Sequence, residues 1–267
     1  MDYPNYETLE IQCDGPVMHV RLNRPDKRNA FNGEVVADLK NVFTAINEDQ
    51  VIRVVVLSGN GKSFSAGADL PWMIEQADLD EVSNEQSASE MAGMFLSIAR
   101  CNKPVVVRIH GHALGGGTGL TAAADIAIAT DTTLFGLTEV KLGIVPAVIS
   151  PFVMEKIGVG RARALFLTGE RFDGKEAERI GLVYRAVPEA DLDAEVARVV
   201  GELLSSGPAA VVSAKKLIET VAPLSLEDAI PKTSKWIASV RSTPEAKEGM
   251  AAFLEKRKPG WMNREGE

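Results

Sequence analysis

The chain is short of positive charge, of cysteine and of long apolar runs. Its 267 residues include 29 Lys and Arg against 37 Asp and Glu, a net charge of −8. Binding to nucleic acid or to an anionic membrane surface relies on clustered Lys and Arg, so neither is the expected partner. Two cysteines, Cys13 and Cys101, and a start without a signal-peptide pattern predict a cytoplasmic protein. No apolar run approaches the roughly 18–20 residues of a membrane span.

Histidine is also scarce, and its placement predicts no metal centre. His19 lies in a predicted strand, and His110 and His112 have no third ligand nearby in the sequence. The chain also lacks the G-x-S-x-G elbow that presents a nucleophilic serine. We therefore expect neither metal-assisted chemistry nor a serine nucleophile of that kind.

The apolar patterns that are present predict an α/β fold. The stretch "TLEIQCDGPVMHVRL" is typical of a hairpin that turns at D-G-P. Helical periodicity is predicted over about 34–47, with Asn32 as the cap, and over about 85–100. Two short apolar segments, 53–59 and 103–111, are typical of strands buried on both faces. This alternation of strands and helices favours an α/β architecture.

Beyond about residue 190 the pattern becomes almost wholly helical. This change is the one credible domain boundary in the sequence, and it predicts a core over 1–190 and a helical region over 191–267. The helices predicted in the second region are 190–206, 208–221, 225–241 and 244–257.

Two stretches of bare backbone each follow a buried strand: "SAGAD" (65–69) and "GGGTG" (115–119). Glycine lets a ligand approach backbone N–H groups at the start of a helix, which suits a phosphate or a developing oxyanion. The dinucleotide fingerprint fits poorly, because the glycines do not follow their strand directly and no acidic partner stands ~20 residues later. Glycines used only for packing would each cost ~1 kcal/mol in a helix. Two such turns, each aiming one N–H at a common point, favour an oxyanion hole. Asp69 is expected to cap the short helix after "SAGAD".

Five motifs occur in order along nearly the whole chain: "FSAGADL", "HALGGG", "DIAIAT", "TEVKLGI" and "AFLEKRKPGW". With them the sequence resembles the enoyl-CoA hydratase/isomerase (crotonase) superfamily. The resemblance implies an α/β fold with a core of ββα spiral turns and a C-terminal helical region used for trimerisation, in a homotrimer or a dimer of trimers. It also implies that the N–H groups of Ala68 and Gly116 hold the carbonyl oxygen of an acyl-CoA thioester.

The same resemblance assigns the proton chemistry. In the hydratase pattern one glutamate stands at position 119 and another at position 139, and this chain has Gly119 and Glu139. Apolar residues on both sides of Glu139 predict partial burial, which would raise its pKa toward the range useful for proton transfer. Adding water across C2=C3 requires that one proton is taken from water and one is delivered to C2. Two carboxylates divide these steps, whereas a single carboxylate could perform both. A single carboxylate could also move a proton between C4 and C2. Hydration and double-bond isomerisation both stay open, as does a non-catalytic binder of acyl-CoA or RNA.

A finer resemblance concerns the acyl group. "FSAGADLPWM", "GGGTGL", "SPFV" and "EGMAAFLEKRKPGW" are most similar to bacterial 3-methylglutaconyl-CoA hydratases of leucine and isovalerate breakdown. Such a substrate carries a distal carboxylate that would need a cation nearby. Lys141 and Arg108 are the candidates, although the more common role of either residue alone is an ordinary solvated or salt-bridged charge.

The resemblance also assigns residues to the CoA part of the substrate. In the family, the turn at "NRPDKRNAF" meets the CoA phosphates and pantetheine, and the carbonyl at the position of Ala66 accepts from the adenine amine. Phe253 and Lys256 resemble C-terminal residues that reach adenine and phosphate, often from the neighbouring subunit. No cofactor is expected besides this substrate CoA. The residues expected to bind substrate or CoA are Lys27, Arg28, Ala66, Gly67, Asp69, Leu70, Gly115, Phe253 and Lys256.

Overall fold

The computed structural model describes residues 3–262 of the chain. Two compact units, Met1–Ala197 and Arg198–Glu267, divide inside a helix, whereas the composition change placed the boundary at residue 190. Within residues 3–262 no helix is long and apolar enough to cross a bilayer. The strands are β1 (Leu9–Asp14), β2 (Val17–Leu22), β3 (Val54–Gly59), β4 (Val105–Ile109), β5 (His112–Leu114), β6 (Ile126–Thr130), β7 (Leu134–Gly136), β8 (Arg171–Phe172) and β9 (Arg185–Val187). The helices are α1 (Gly33–Glu48), α2 (Leu70–Ala77), α3 (Glu81–Ala99), α4 (Gly116–Ala123), α5 (Ser150–Thr168), α6 (Gly174–Ile180), α7 (Leu192–Ser205), α8 (Pro208–Val221), α9 (Leu226–Arg241) and α10 (Pro244–Leu254).

Six strands form the main sheet of the first unit, in the order β1-β2-β3-β4-β6-β9. β1 and β2 form the predicted antiparallel hairpin, and the remaining neighbours pair in parallel. The two apolar strands are adjacent, with Val55 opposite Val105, and every residue of β3 is buried. Because parallel neighbours end at the same edge of a sheet, the segments after β3 and β4 emerge side by side.

A second sheet has three strands, in the order β5-β7-β8. The sequence predicted one strand over 103–111, but β4 ends at Ile109 and the chain restarts as β5 at His112. Gly111 lies between them with φ +65°, in the left-handed region where a strand cannot continue. This break carries the chain from the main sheet into the segment that leads to the three glycines.

Capping residues set where two helices of the first unit begin. The predicted cap of α1 is confirmed, because Asn32 Oδ1 accepts a hydrogen bond from the Val35 N–H at 3.1 Å. Helix α3 begins at Glu81, four residues before the predicted start, because Asp80 Oδ1 accepts from the Ser83 N–H at 3.1 Å. The first half of α3 is mostly polar, so apolar periodicity could not locate this start.

The second unit is helical, as its composition predicts. Helix α8 has the predicted bounds, while α10 ends at Leu254, three residues before the predicted end. Within this unit Trp236 Nε1 donates to Ser213 Oγ at 2.8 Å, which ties α9 to α8.

Candidate active site

The turn at 65–69 is held in place by the turn that precedes α1. The Ala66 N–H donates to the Arg28 carbonyl at 2.9 Å, and the Phe31 N–H donates to the Gly67 carbonyl at 2.7 Å. Ser65 Oγ donates to the Asn29 carbonyl at 2.9 Å. The backbone that carries Ala68 is therefore fixed along one side by a ladder of hydrogen bonds, even though it belongs to neither sheet.

The other side of the same turn is bonded to the strand that leads to the glycines. The Ser65 N–H donates to the His112 carbonyl at 3.0 Å, and the Leu114 N–H donates to the Ser65 carbonyl at 3.1 Å. Gly67 has φ +88°, and a Cβ on it would lie 2.6 Å from the Leu114 oxygen and 3.1 Å from the Gly116 nitrogen. Only glycine allows so close an approach, so the two stretches of bare backbone are in contact.

This contact brings two unused donors close together. Within residues 3–262 neither the Ala68 N–H nor the Gly116 N–H donates a hydrogen bond. Gly116 is the first residue of α4, where an N–H has no partner inside the helix. The Phe31–Ala68 bridge uses the Phe31 N–H and the Asp69 N–H, and it leaves the Ala68 N–H for a ligand. Such a pair of donors can bind one oxygen that carries developing negative charge.

Glu139 faces the start of α4. It is the first residue of a 3₁₀ turn, Glu139–Leu142, and a Cβ on Gly115 would lie 3.1 Å from its Oε1. Its Oε2 is buried and has no hydrogen-bond partner among the described residues. Burial raises the pKa of the Glu139 carboxyl above its ordinary value, in agreement with the expectation from its apolar neighbours. A buried carboxylate with one oxygen unpartnered and a raised pKa, facing the glycine turn, is suited to proton transfer.

Position 119 has no room for a side chain. A Cβ on Gly119 would lie 2.4 Å from Ile149 Cγ2 and 3.0 Å from Phe95 Cε1. Ile149 is 3% exposed and Phe95 is 0% exposed. The resemblance marks Gly119 as the place of a missing carboxylate, and the structure has a packed apolar wall there.

The role predicted for Asp69 as a capping residue is wrong. Asp69 occupies the cap position of α2, but its side chain makes no capping hydrogen bond. Its carboxylate instead forms an ion pair with Arg24 at 3.4 Å, because the turns at 24–31 and 65–69 are aligned. Arg24 also donates to the Ala30 carbonyl at 2.6 Å, so this pair links the two turns.

The remaining residues expected at the CoA site are exposed at the surface. Lys27 and Arg28 are exposed in the turn before α1, and Arg28 has φ +51°. Leu70 is 54% exposed at the start of α2. In the second unit, Phe253 is 83% exposed, and Lys256 follows α10 with φ +55°.

The two cations considered for a distal carboxylate have different surroundings. Arg108 Nε donates to Asp193, so this guanidinium is already paired. Lys141 lines a cavity of about 470 Å³ together with Thr138, Leu142, Gly169 and Arg171. No local pattern singles out Arg171, because β8 pairs it with β7 only in the folded chain.

The histidines do not form a metal site. His112 Nδ1 lies 3.2 Å from Ser63 Oγ, and His110 lies within hydrogen-bond distance of Arg108 and of the Gly61 carbonyl. Across residues 3–262 no group of three or more His, Cys, Asp or Glu side chains is arranged to hold a metal ion.

Comparison with known proteins identifies the relatives of this chain. The family model described as enoyl-CoA hydratase/isomerase matches residues 12–264. A relative named "Probable enoyl-CoA hydratase echA8", from Mycobacterium bovis, is 34% identical over 97% of this chain and 99% of its own length. The crotonyl-CoA hydratase of Syntrophomonas wolfei is 32% identical over 97% of this chain and 99% of its own. The crystal structure of an enoyl-CoA hydratase from Shewanella pealeana superposes with a TM-score of 0.91 at 36% identity, covering 96% of each chain.

Proposed function

Because the chain belongs to the enoyl-CoA hydratase/isomerase family and has its crotonase fold, we propose that it adds water to a 2-enoyl-CoA thioester. The N–H groups of Ala68 and Gly116 bind the thioester oxygen. They stabilise the enolate that forms when C3 is attacked, and each donor of this kind contributes roughly 10²–10³ in rate. The reaction needs no cofactor besides the CoA of the substrate, and we expect it to run in the cytoplasm.

Glu139 carries out both proton transfers in this scheme. Its ionised carboxylate takes a proton from water as the water oxygen bonds to C3, and the C2=C3 electrons move into the thioester to form the enolate. The protonated carboxyl then gives that proton to C2 as the enolate returns to a thioester. The raised pKa of Glu139 supports this double role, because a pKa nearer to the working pH lets one carboxyl both take up and release a proton.

One observation carries the proposal. The buried Glu139 Oε2 has no partner among the described residues and belongs to a carboxylate that faces the glycine turn. A buried polar atom without a partner costs stability, and a structural carboxylate would be expected to have one. Monitoring the loss of enoyl-thioester absorbance with crotonyl-CoA tests the proposal, and acyl-CoA binding without turnover would favour a non-catalytic binder instead.

Isomerisation of a 3-enoyl-CoA is the second candidate, and the apolar wall at Gly119 favours it. Moving one proton between C4 and C2 needs a single carboxylate and no bound water. Separate assays with 2-enoyl and 3-enoyl thioesters, followed by product analysis, distinguish the two reactions. A 3-hydroxyacyl product supports hydration, and a shifted double bond without added oxygen supports isomerisation.

For the acyl group we propose a substrate with a distal carboxylate, such as 3-methylglutaconyl-CoA. Thr138 and Lys141 flank Glu139 in the sequence and line the same cavity as Arg171. Hydrogen bonds from a charged Lys or Arg side chain to a carboxylate are stronger than those between neutral groups. Turnover of 3-methylglutaconyl-CoA should then exceed that of crotonyl-CoA. Replacing Lys141 with Met should remove most of that preference while leaving crotonyl-CoA turnover largely intact.

We further propose that the chain works as a homotrimer or a dimer of trimers. Exposed large apolar side chains on the helices of the second unit support this, because packing against a neighbouring subunit would remove their apolar surface from water. In such an assembly Phe253 and Lys256 would reach the adenine and phosphates of CoA bound to a neighbouring subunit. Light scattering should give three or six times the chain mass of 28.7 kDa, and a monomer would contradict both statements. The apolar side chains are Ile218, Leu226, Ile230, Ile237, Met250, Phe253 and Leu254.

A further inference from the structure

The apolar wall at Gly119 has little freedom to move. Ile149 is branched at Cβ and stands at the cap position of α5, where its carbonyl accepts from the Val153 N–H at 3.1 Å. Phe95 is fully buried and packs against the rings of Phe31 and Phe152, with centroid distances of 6.4 and 5.9 Å. A branched side chain has few rotamers, so Ile149 cannot easily turn its Cγ2 away from position 119.

The wall lies on the face of α4 that carries Gly116. Residues three apart on a helix are neighbours on its surface, and Gly116 and Gly119 are three apart in α4. A Cβ on Gly116 would meet Phe31 and one on Gly119 would meet Phe95, and these two rings are in contact. A side chain at position 119 would therefore leave α4 on the same face as Gly116. Ile149 already occupies the volume that such a side chain would need.

We propose that Ile149 is the residue that restricts this site to one carboxylate. It acts as a positioning residue, because its side chain excludes any group at position 119 and leaves Glu139 to perform every proton transfer. The inference rests on the proposed role of Glu139 and deepens it. Ile149 sets whether one or two carboxylates reach the reacting carbons, and therefore which enoyl thioesters the site can process.

The packing part of this inference is tested without any substrate. Gly119→Ala should lower the thermal midpoint by at least about 3 °C, because the added methyl has no space. In an Ile149→Gly background the same change should have a much smaller effect, since Ile149 Cγ2 and Cβ are gone and the 3.0 Å approach to Phe95 Cε1 is what remains. Glycine is tolerated at a helix cap position, but Ile149→Gly also removes a buried side chain, so each effect of Gly119→Ala is measured relative to the midpoint of its own background. Equal effects of Gly119→Ala in both backgrounds would overturn the inference, whether or not the protein is a hydratase.

The chemical part is tested by adding the second carboxylate with and without space for it. Gly119→Glu alone should lose stability and turnover. Gly119→Glu with Ile149→Gly should exceed the single variant by at least tenfold in turnover of crotonyl-CoA. Gly119→Glu with Ile149→Val is the matched control, because valine keeps the Cγ2 methyl and should give no rescue.

The pH profile separates this role from simple packing. With Glu139 alone, kcat/KM should rise with pH through the raised Glu139 pKa and then stay level. The Gly119→Glu, Ile149→Gly variant should gain a falling limb at higher pH, because its second carboxyl must be protonated to act as an acid. Rescue by valine as well as glycine, or a level profile in the rescued variant, would contradict the proposal. Loss of the rising limb on Glu139→Gln alone tests the role of Glu139 and leaves the packing result unaffected.

Discussion

Gly115 stands at the cap position of α4 and Gly119 lies one turn inside the helix, yet they border opposite kinds of surroundings. A Cβ on Gly115 would meet the carboxylate of Glu139, whereas a Cβ on Gly119 would meet Ile149 and Phe95. At Gly115 the missing side chain leaves room for a charged group without a partner. At Gly119 it leaves room for close packing. Glycines that look alike in the motif therefore serve chemistry at one end of a single helix turn and the core at the other.

Removing the carboxylate at the polar end should have the largest effect. Glu139→Gln should lower kcat by ~10²–10⁴, because it removes the carboxylate that transfers the proton in this scheme. Isothermal titration should show that an acyl-CoA still binds. Glu170→Gln, which changes an exposed carboxylate of the same unit, is the control and should keep normal turnover. Near-normal activity in Glu139→Gln would show that Glu139 does not transfer the proton, and the Gly115 end would then have no more part in the chemistry than the Gly119 end.

Crowding the polar end without removing the carboxylate should have a smaller effect. Gly115 has φ +50° and ψ −115°, which costs a residue with a Cβ of the order of 1–3 kcal/mol. Gly115→Ala would also press on Glu139 Oε1, so kcat should fall at least about tenfold, the equivalent of roughly 1.4 kcal/mol. The thermal midpoint should fall with it.

Gly160→Ala is the matched control for that variant. A Cβ on Gly160 meets nothing within 4 Å, and its φ is not positive. This change should leave turnover unaltered and should not lower the midpoint. Equal losses in both variants would show that Gly115 has no special relation to Glu139.

The smallest expected effect is on stability as a function of pH. Burial raises the Glu139 pKa in the folded protein, so the folded state holds this proton more tightly than the unfolded state does. Its ionisation therefore costs stability as pH rises through the folded pKa, and no cost remains well below the ordinary Glu value of about 4.3. Glu139→Gln should thus unfold at a higher temperature than the parent near neutral pH. The difference should shrink as the pH is lowered, and a constant difference would mean that the carboxyl is not destabilised by burial.

Local patterns predicted the elements, and contacts between distant segments decided the site. The cap at Asn32, the hairpin and the adjacent apolar strands follow from spacing and propensity within a few residues. The ion pair of Asp69 with Arg24 depends on two turns aligned across 45 positions, and no local signal distinguished it from a cap. The meaning of Gly119 depends on Ile149, which lies 30 residues later and meets it only after α4 and α5 pack. Motifs thus located the glycines and Glu139, while the apolar wall could be seen only in the folded chain.

A crystal structure of the Glu139→Gln variant with crotonyl-CoA bound tests the account most directly. The slow variant should hold the intact thioester long enough to be observed. We expect the thioester oxygen to lie ~2.7–3.1 Å from the backbone nitrogens of both Ala68 and Gly116. The amide of residue 139 should lie beside C2 and C3, and Ile149 should border the acyl chain from the Gly119 side. A thioester oxygen remote from both nitrogens, or residue 139 remote from C2 and C3, would contradict the account.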